Sequence, residues 1–590
     1  VTRGKASVLL TALLLSGAAS AQAPPRPPTR EEIERGRPPP PPAQPPRLTV
    51  EGGIERAPCA LDDERFRAIR FTPRAVSFEH LRGLSADALR SAYKPFLGTE
   101  QPIAMVCEIR DRAATLLRDA GYVAAVEIPE QRIADGNIRF DVLMAKLVAV
   151  HVRGDAGRSE RTIARYLERL TNRDVFNRFE AERSLLLASD LPGLDVRLRL
   201  RSAGAGPGEV VGEVSVVRTF GLVEANVQDL GARELGRWGG LVRAELYGLT
   251  GLGDRTSLAL FSTAQTHEQQ TLQVGHEMRL GAEGLTLSGD FTYSWARPSL
   301  PGPNLHVRAR TLLATAAARY PFVRRQAASI WGGIGLDLVD QDVSVAGLPL
   351  TRDRLRIGFA RLDFQAADHR SFGERAGYDG AEPLWRIGGS VELRRGLGLL
   401  GAGRACGPGF ARCVGPGLVP PSRLEGDPEA TLLRFEGGAE YRPLPRLAVA
   451  LGVRAQVTGE PLLAFEEYAA GNYTIGRGYD PGTLLGDRGV GVQAELRYGS
   501  LLRARGRAFA LQPFAFFDAA WVGNEDRLFA PGGPQHLASV GAGLRASWQD
   551  RARLEVMLAV PLNRAGLLGA RPDPRLLVSL TSRLLPWRSR

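Results

Sequence analysis

Lysine is nearly missing from this 590-residue chain: it stands only at positions 5, 94 and 146, and arginine carries almost all the positive charge behind a formal net charge of +12. Arginine spread along the whole length, with no basic block, does not make a nucleic-acid face, so nucleic acid is not expected as a partner. Beyond the N-terminus there is no run of about eighteen apolar residues, which excludes a membrane protein built of helices. The seven histidines are scattered without an HExxH pair, no serine sits in a GxSxG elbow, and no phosphate-binding loop follows a strand. The glycine-rich run Gly401 to Cys406 lies in no strand-helix-strand pattern. Catalysis, a metal, a cofactor and a nucleotide are therefore not expected. Cysteine is scarce too, with Cys59, Cys107, Cys406 and Cys413 falling as two pairs, each within one predicted unit.

What is present begins with a targeting pattern. Arg3 and Lys5 precede an apolar run from Val8 to Leu15, and Ala19-Ser20-Ala21, or the neighbouring Ala21-Gln22-Ala23, offers a small-residue cleavage site. Residues 1–23 are thus expected to be a secretory signal, which places the cysteines in an oxidising compartment. With no histidine at ligand spacing, disulfides within the pairs Cys59 with Cys107 and Cys406 with Cys413 are favoured over metal. Residues 24–64 are proline-rich, and an extended polyproline tether is expected between Pro24 and Pro46. Its charged interruption, Thr29 to Arg37, suits about two helical turns capped by Thr29 with Glu32 three residues on, the alternative being a disordered spacer.

Two small α+β units follow, at 65–146 and 147–212. In the first, a strand is predicted at Phe66 to Phe71, a helix capped by Ser85 through Tyr93, and a second helix opening at Pro102 and stopping at Gly121. Strands Val123 to Ile128 and Asn137 to Met144 close it. The second unit repeats the order: strand Leu147 to Val152, a helix capped by Ser159 through Leu170, helix Arg178 to Ser189, and strands Asp195 to Arg201 and Glu209 to Val217. This order resembles the periplasmic POTRA module. The stretch around Gly121-Tyr122, Pro129, Gln131 and Gly136 resembles the first module of the two-partner secretion transporters (the TpsB, or haemolysin and filamentous haemagglutinin exporter, family). Asp190, Leu191, Pro192 and Gly193 resemble the second. Met144-Ala145 departs from the Glu-Gly that the family often shows.

Residues 213–590 alternate strictly. Val490, Val492, Ala494, Leu496 and Tyr498 oppose Gln493, Glu495 and Arg497; Leu544 and Trp548 oppose Arg545; Leu554, Val556 and Leu558 oppose Arg553 and Glu555. A period of two puts successive side chains on opposite faces. Sixteen such segments, each near the length that crosses a bilayer obliquely, predict an all-β transmembrane barrel of 16 antiparallel strands. Counted from the periplasm, the two longest inserts, about 397–429 and 458–487, fall after odd strands, hence outside.

Asp229, Gly231, Gly251 and Asp254 extend the resemblance into the barrel, which is also similar to the wider outer-membrane assembly superfamily; Trp587, followed by three residues, departs from its usual aromatic terminus. In FAFFDAAWV, Phe514, Phe516, Asp518 and Ala520 share one face, and an ionised Asp518 belongs in the lumen rather than in lipid. The resemblance implies that the loop tip Arg477-Gly478-Tyr479 folds into the barrel and that Arg477 contacts Phe516 and Asp518. Ala520 stands where the family shows glycine. It further implies a Gram-negative outer-membrane transporter embedded in lipid, with modules in the periplasm, Pro129 and Gln131 shaping the first and Pro192 and Gly193 belonging to the motif of the second. Its partner would be a large secreted protein with an N-terminal secretion domain. A general factor that inserts other barrels is the runner-up, which the Pro129-x-Gln131 signature disfavours, and a passive porin or adhesin would have no use for the modules.

Overall fold

The computed structural model describes residues 27–34, 48–50 and 59–586, apart from 67, 134, 172, 204–207, 300–305, 373–374, 502–508, 527, 529–534, 550 and 567–570. The proposed signal, most of the proline tether and Trp587 lie outside these residues.

Among the described residues, sixteen antiparallel strands close a barrel from Gly221–Gln228 to Arg575–Leu585. Alternation explains which way each side chain points. Leu496, Trp521, Leu544, Trp548 and Leu558 are exposed on the outer wall, while Glu495, Gln512, Asp518 and Ser539 are buried on the inner one. No described helix is long and apolar enough to cross a membrane. The first and last strands meet along only six residue pairs with a bulge between Val223 and Glu224. Asn226 reinforces this seam by donating to Ser579 and Thr581 at 3.0 and 2.9 Å.

Two α+β units precede the barrel. In the first, helix Met105–Asp119 buries Val106, Ile109, Ala113 and Leu117 on a sheet made of Ala75–Glu79, Asn137–Met144 and Ala124–Glu127. Its opening differs from the predicted one. Pro73 cannot donate to a ladder, so regular pairing waits for Ala75–Glu79, where Val76 and Phe78 turn inward, and Arg70–Phe71 only bridges Gln101–Pro102. Pro102 therefore sits in that bridge and the helix begins three residues later. Ser85 precedes a 3-10 turn, Ala86–Leu89, without a side-chain cap. Ser159 likewise ends a 3-10 turn, Gly157–Ser159, ahead of helix Glu160–Thr171. The amide of Gln131 pairs twice with the backbone of Arg139, at 2.7 Å each way, like an extra strand residue. Cys59 joins Cys107, and Cys406 joins Cys413.

In the second unit, strand Glu209–Arg218 completes the sheet, so residues 213–218 belong with it and the barrel starts at Gly221. Strand Leu48–Val50 adds in parallel to the edge of Leu194–Ser202. Gly193, after Pro192, has φ +75°, and a Cβ there would lie 2.4 Å from Thr219 O, so this turn against the barrel entrance admits only glycine.

The second unit is bolted to the turns that follow even strands, the end expected from the sequence to face the periplasm. Asp190 holds the Arg324 guanidinium with two contacts of 2.7 Å, and Arg158 donates to Leu249 O. Replacing Asp190 by Ala removes a charge-assisted fork worth about 1.5–3 kcal/mol. Faster hydrogen exchange along Arg178–Ser189 with an intact barrel is the expected outcome; unchanged exchange would show the fork to be idle.

Candidate functional site

The insert between strands Leu447–Thr458 and Arg488–Tyr498 leaves from the outer end and turns back into the bore. A two-stranded ribbon, Tyr468–Ala470 with Leu484–Gly486, forms its stem. At the tip Gly471 N donates to Ile475 O, Asn472 N to Tyr479 O, and Gly478 N to Asn472 Oδ1, which closes a compact knot. Gly478 has φ +92°, and a Cβ there would sit 3.1 Å from Ala559 Cβ on the wall. Glycine at this position answers both the backbone and the tight fit.

The knot aims Arg477 at strand Phe509–Gly523. Its Nε and Nη2 donate to Asp518 at 2.9 and 2.6 Å, and its backbone N–H donates to the same carboxylate at 3.0 Å. The guanidinium lies 3.7 Å over the Phe516 ring, and Nη1 donates to Glu495 at 2.5 Å. Asp518 is completely buried. A fork, a ring face and a second acid together define one position for the cation. Ala520, also fully buried, packs with Ile475, Tyr479 and Leu537.

Tyr479 seats the other side of the tip. Its hydroxyl lies 3.0 Å from Ala538 O and 2.9 Å from Asn563 O, sharing its one proton between them, and accepts the Asn563 N–H at 3.0 Å. Asp480 takes Arg575 at 2.6 Å, and Arg575 also donates to Asp229 O, so the tip rests against the seam between the first and last strands. Glu495 and Arg545 are participants that the motif did not announce. Arg545 bridges Glu495 and Glu555 at 3.0 Å each and stacks 4.0 Å from the Phe514 ring. Their signal was the inward face of two alternating strands, which carries no spacing of its own.

A second segment shares the lumen. Thr29 and Glu32 form a reciprocal cap, with the Thr29 N–H donating to the Glu32 carboxylate at 2.7 Å, on the five-residue helix Arg30–Glu34. Ile33 is fully buried among Leu313, Val339, Leu355, Ile357, Leu463 and Phe465. Gln273 donates to Ile33 O at 2.8 Å, and Arg454 holds Glu31 at 3.0 Å. Contacts with so many strands place the helix across the bore. The disordered-spacer alternative for Thr29 to Glu34 is thereby corrected: the wall buries Ile33 and pairs the charged residues around it, which a free five-residue segment could not do.

Fold and site together define a membrane β-barrel with two periplasmic modules, whose bore is filled by its own loop and N-terminal helix. Residues 218–546 match the model of the haemolysin secretion/activation proteins ShlB/FhaC/HecB, and residues 71–144 match the ShlB-type POTRA domain. The chain belongs to the ShlB/FhaC/HecB family, and is an outer-membrane two-partner secretion transporter with periplasmic POTRA modules. Among solved structures it is similar in fold to CdiB from Escherichia coli, at 13% identity and TM-score 0.68 over 90% of this chain and 93% of that one. CdiB from Acinetobacter baumannii is similar at 15% identity and TM-score 0.60, over 87% and 90%. No curated protein matches the sequence.

Proposed function

We propose that Arg477 and Asp518 form a lock that keeps the loop in the bore at rest and releases it when a secreted partner enters. The contact of the Arg477 fork with the fully buried Asp518 carries this reading. The helix Arg30–Glu34 is a second obstruction in the same bore. The partner is a large secreted protein with an N-terminal secretion domain, which the modules receive by strand addition at an exposed sheet edge. It crosses unfolded, and its folding outside supplies direction. Lipid covers the apolar outer wall. The proposed work is transport with no bond chemistry.

Removing the chain from its cell tests the function. One large extracellular protein is expected to accumulate in the periplasm while other outer-membrane barrels stay at normal abundance, as a proteome of both fractions would read. A general loss of outer-membrane barrels would instead identify an assembly factor.

A further inference from the structure

Outside the lock, charge converges on Arg423, in the surface loop between strands Trp385–Gly396 and Thr431–Leu444. Its guanidinium contacts Glu467 at 3.0 Å and Asp487 through both carboxylate oxygens, and it also reaches Asp526. It donates to Leu462 O at 2.9 Å as well. Glu467 lies on the stem entering the lock loop and Asp487 on the stem leaving it, so one side chain spans the base of that loop. Asp526 belongs to the neighbouring loop, after strand Phe509–Gly523.

The surroundings are built around this contact. Asp487 is fully buried and accepts the N–H groups of Leu462 and Glu525, each at 2.7 Å. Ser422 Oγ accepts Ala464 N–H at 3.0 Å, and Asp427 N–H donates to Pro461 O at 2.8 Å. A Cβ on Gly426 would fall 2.7 Å from Leu463 Cδ2, so the two loops lie against each other without spare room. Burial, with Asp487, Asp526 and Asp353 nearby and Arg423 opposing, pushes the Glu467 carboxyl up to about 7. Three acidic side chains thus share one guanidinium, and without it Glu467 is driven further toward its protonated form while Asp487 and Asp526 lose this cation. That makes Arg423 the group on which the closed base depends.

We propose that Arg423 is a positioning residue for the lock: a clasp on the outer side that pins both stems of the lock loop, sets how far Arg477 reaches into the bore, and parts when the loop shifts. This rests on the lock reading above but concerns a different contact, at the opposite end of the loop. Lysine is a poor substitute, since a point charge cannot address both oxygens of Asp487 while reaching Glu467 and Asp526.

Single-channel recording of the full-length chain in planar bilayers tests it, with heat-modifiable gel migration to verify a folded barrel. Arg423→Gln is expected to raise the frequency of opening several-fold, with Arg423→Lys in between. In Arg423→Gln carrying Ser422→Cys and Ala464→Cys, oxidation should return opening to the resting level by replacing the clasp with a covalent one, and that return is not expected of a general loss of structure. If Arg423→Gln does not fold, the cysteine pair in the otherwise unchanged chain decides, because cross-linking should suppress secretion and reduction restore it. Resting behaviour in Arg423→Gln, failure of the cross-link to reverse its opening, or full secretion with the loops cross-linked would overturn the clasp. Arg477→Ala in the same bilayer separates the two claims. If it opens the channel and Arg423→Gln does not, only the clasp fails; if it does not open the channel, the lock itself fails.

Discussion

Arg477→Ala is expected to open the resting channel more than Asp518→Ala does, although the two substitutions break the same contact. Without Arg477, Asp518 is a fully buried carboxylate left with backbone donors alone, and Glu495 loses one of its cations. Without Asp518, the guanidinium keeps Glu495 and the face of Phe516. Stranding one member of a buried pair costs about 3–5 kcal/mol, enough to move a loop that its contacts hold in one place. In a double-mutant cycle on open probability, the double variant should open little more than Arg477→Ala alone. Independent, additive increments would show that the side chains do not act on each other.

Ile33→Asp carries the other large effect. A five-residue helix is far below the length that is stable alone in water, so Arg30–Glu34 stands only because the wall buries it. Losing a buried isoleucine costs about 2–5 kcal/mol, and an aspartate among Leu313, Val339, Leu355 and Phe465 adds the penalty of an unpaired charge. The expected result is a helix that leaves the bore and melts, with a stepwise rise in conductance. Unchanged conductance would mean that the helix does not limit the current. The two obstructions also touch: Ile33 packs on Leu463 and Phe465, and Arg30 stands 3.7 Å from Glu466, all three on the entering stem of the lock loop. Ile33→Asp should therefore also loosen the loop.

Much of this was legible in the residues because period-two alternation is a direct imprint of a sheet wall with two unlike faces. The strands around Leu496, Leu544 and Leu558 show it, and the acid within FAFFDAAWV stands out because its neighbours on the outer face are Phe517 and Trp521. Other features depended on distance in space. Glu495 and Arg545 look like any inward polar residues until the loop tip arrives beside them. Arg423 sits in a loop with no pattern, and its three acids come from two other loops. Thr29 and Glu32 announced a helix cap, but only the bore explains why Ile33 is buried. Helix starts were misread where proline or serine suggested a cap and the chain instead made a bridge or a 3-10 turn, as at Pro102 and Ser85.

The central claim is that the loop tip rests inside the barrel. All four cysteines are paired, so two new ones can be labelled selectively. Nitroxides at Tyr473→Cys on the tip and Arg446→Cys on a periplasmic turn give their separation by pulsed spin-label spectroscopy in outer-membrane vesicles. The account predicts one short separation at rest, lengthening when Arg477→Ala is added. A long, broad separation in the chain with Arg477 and Asp518 intact would place the tip outside the bore and contradict it.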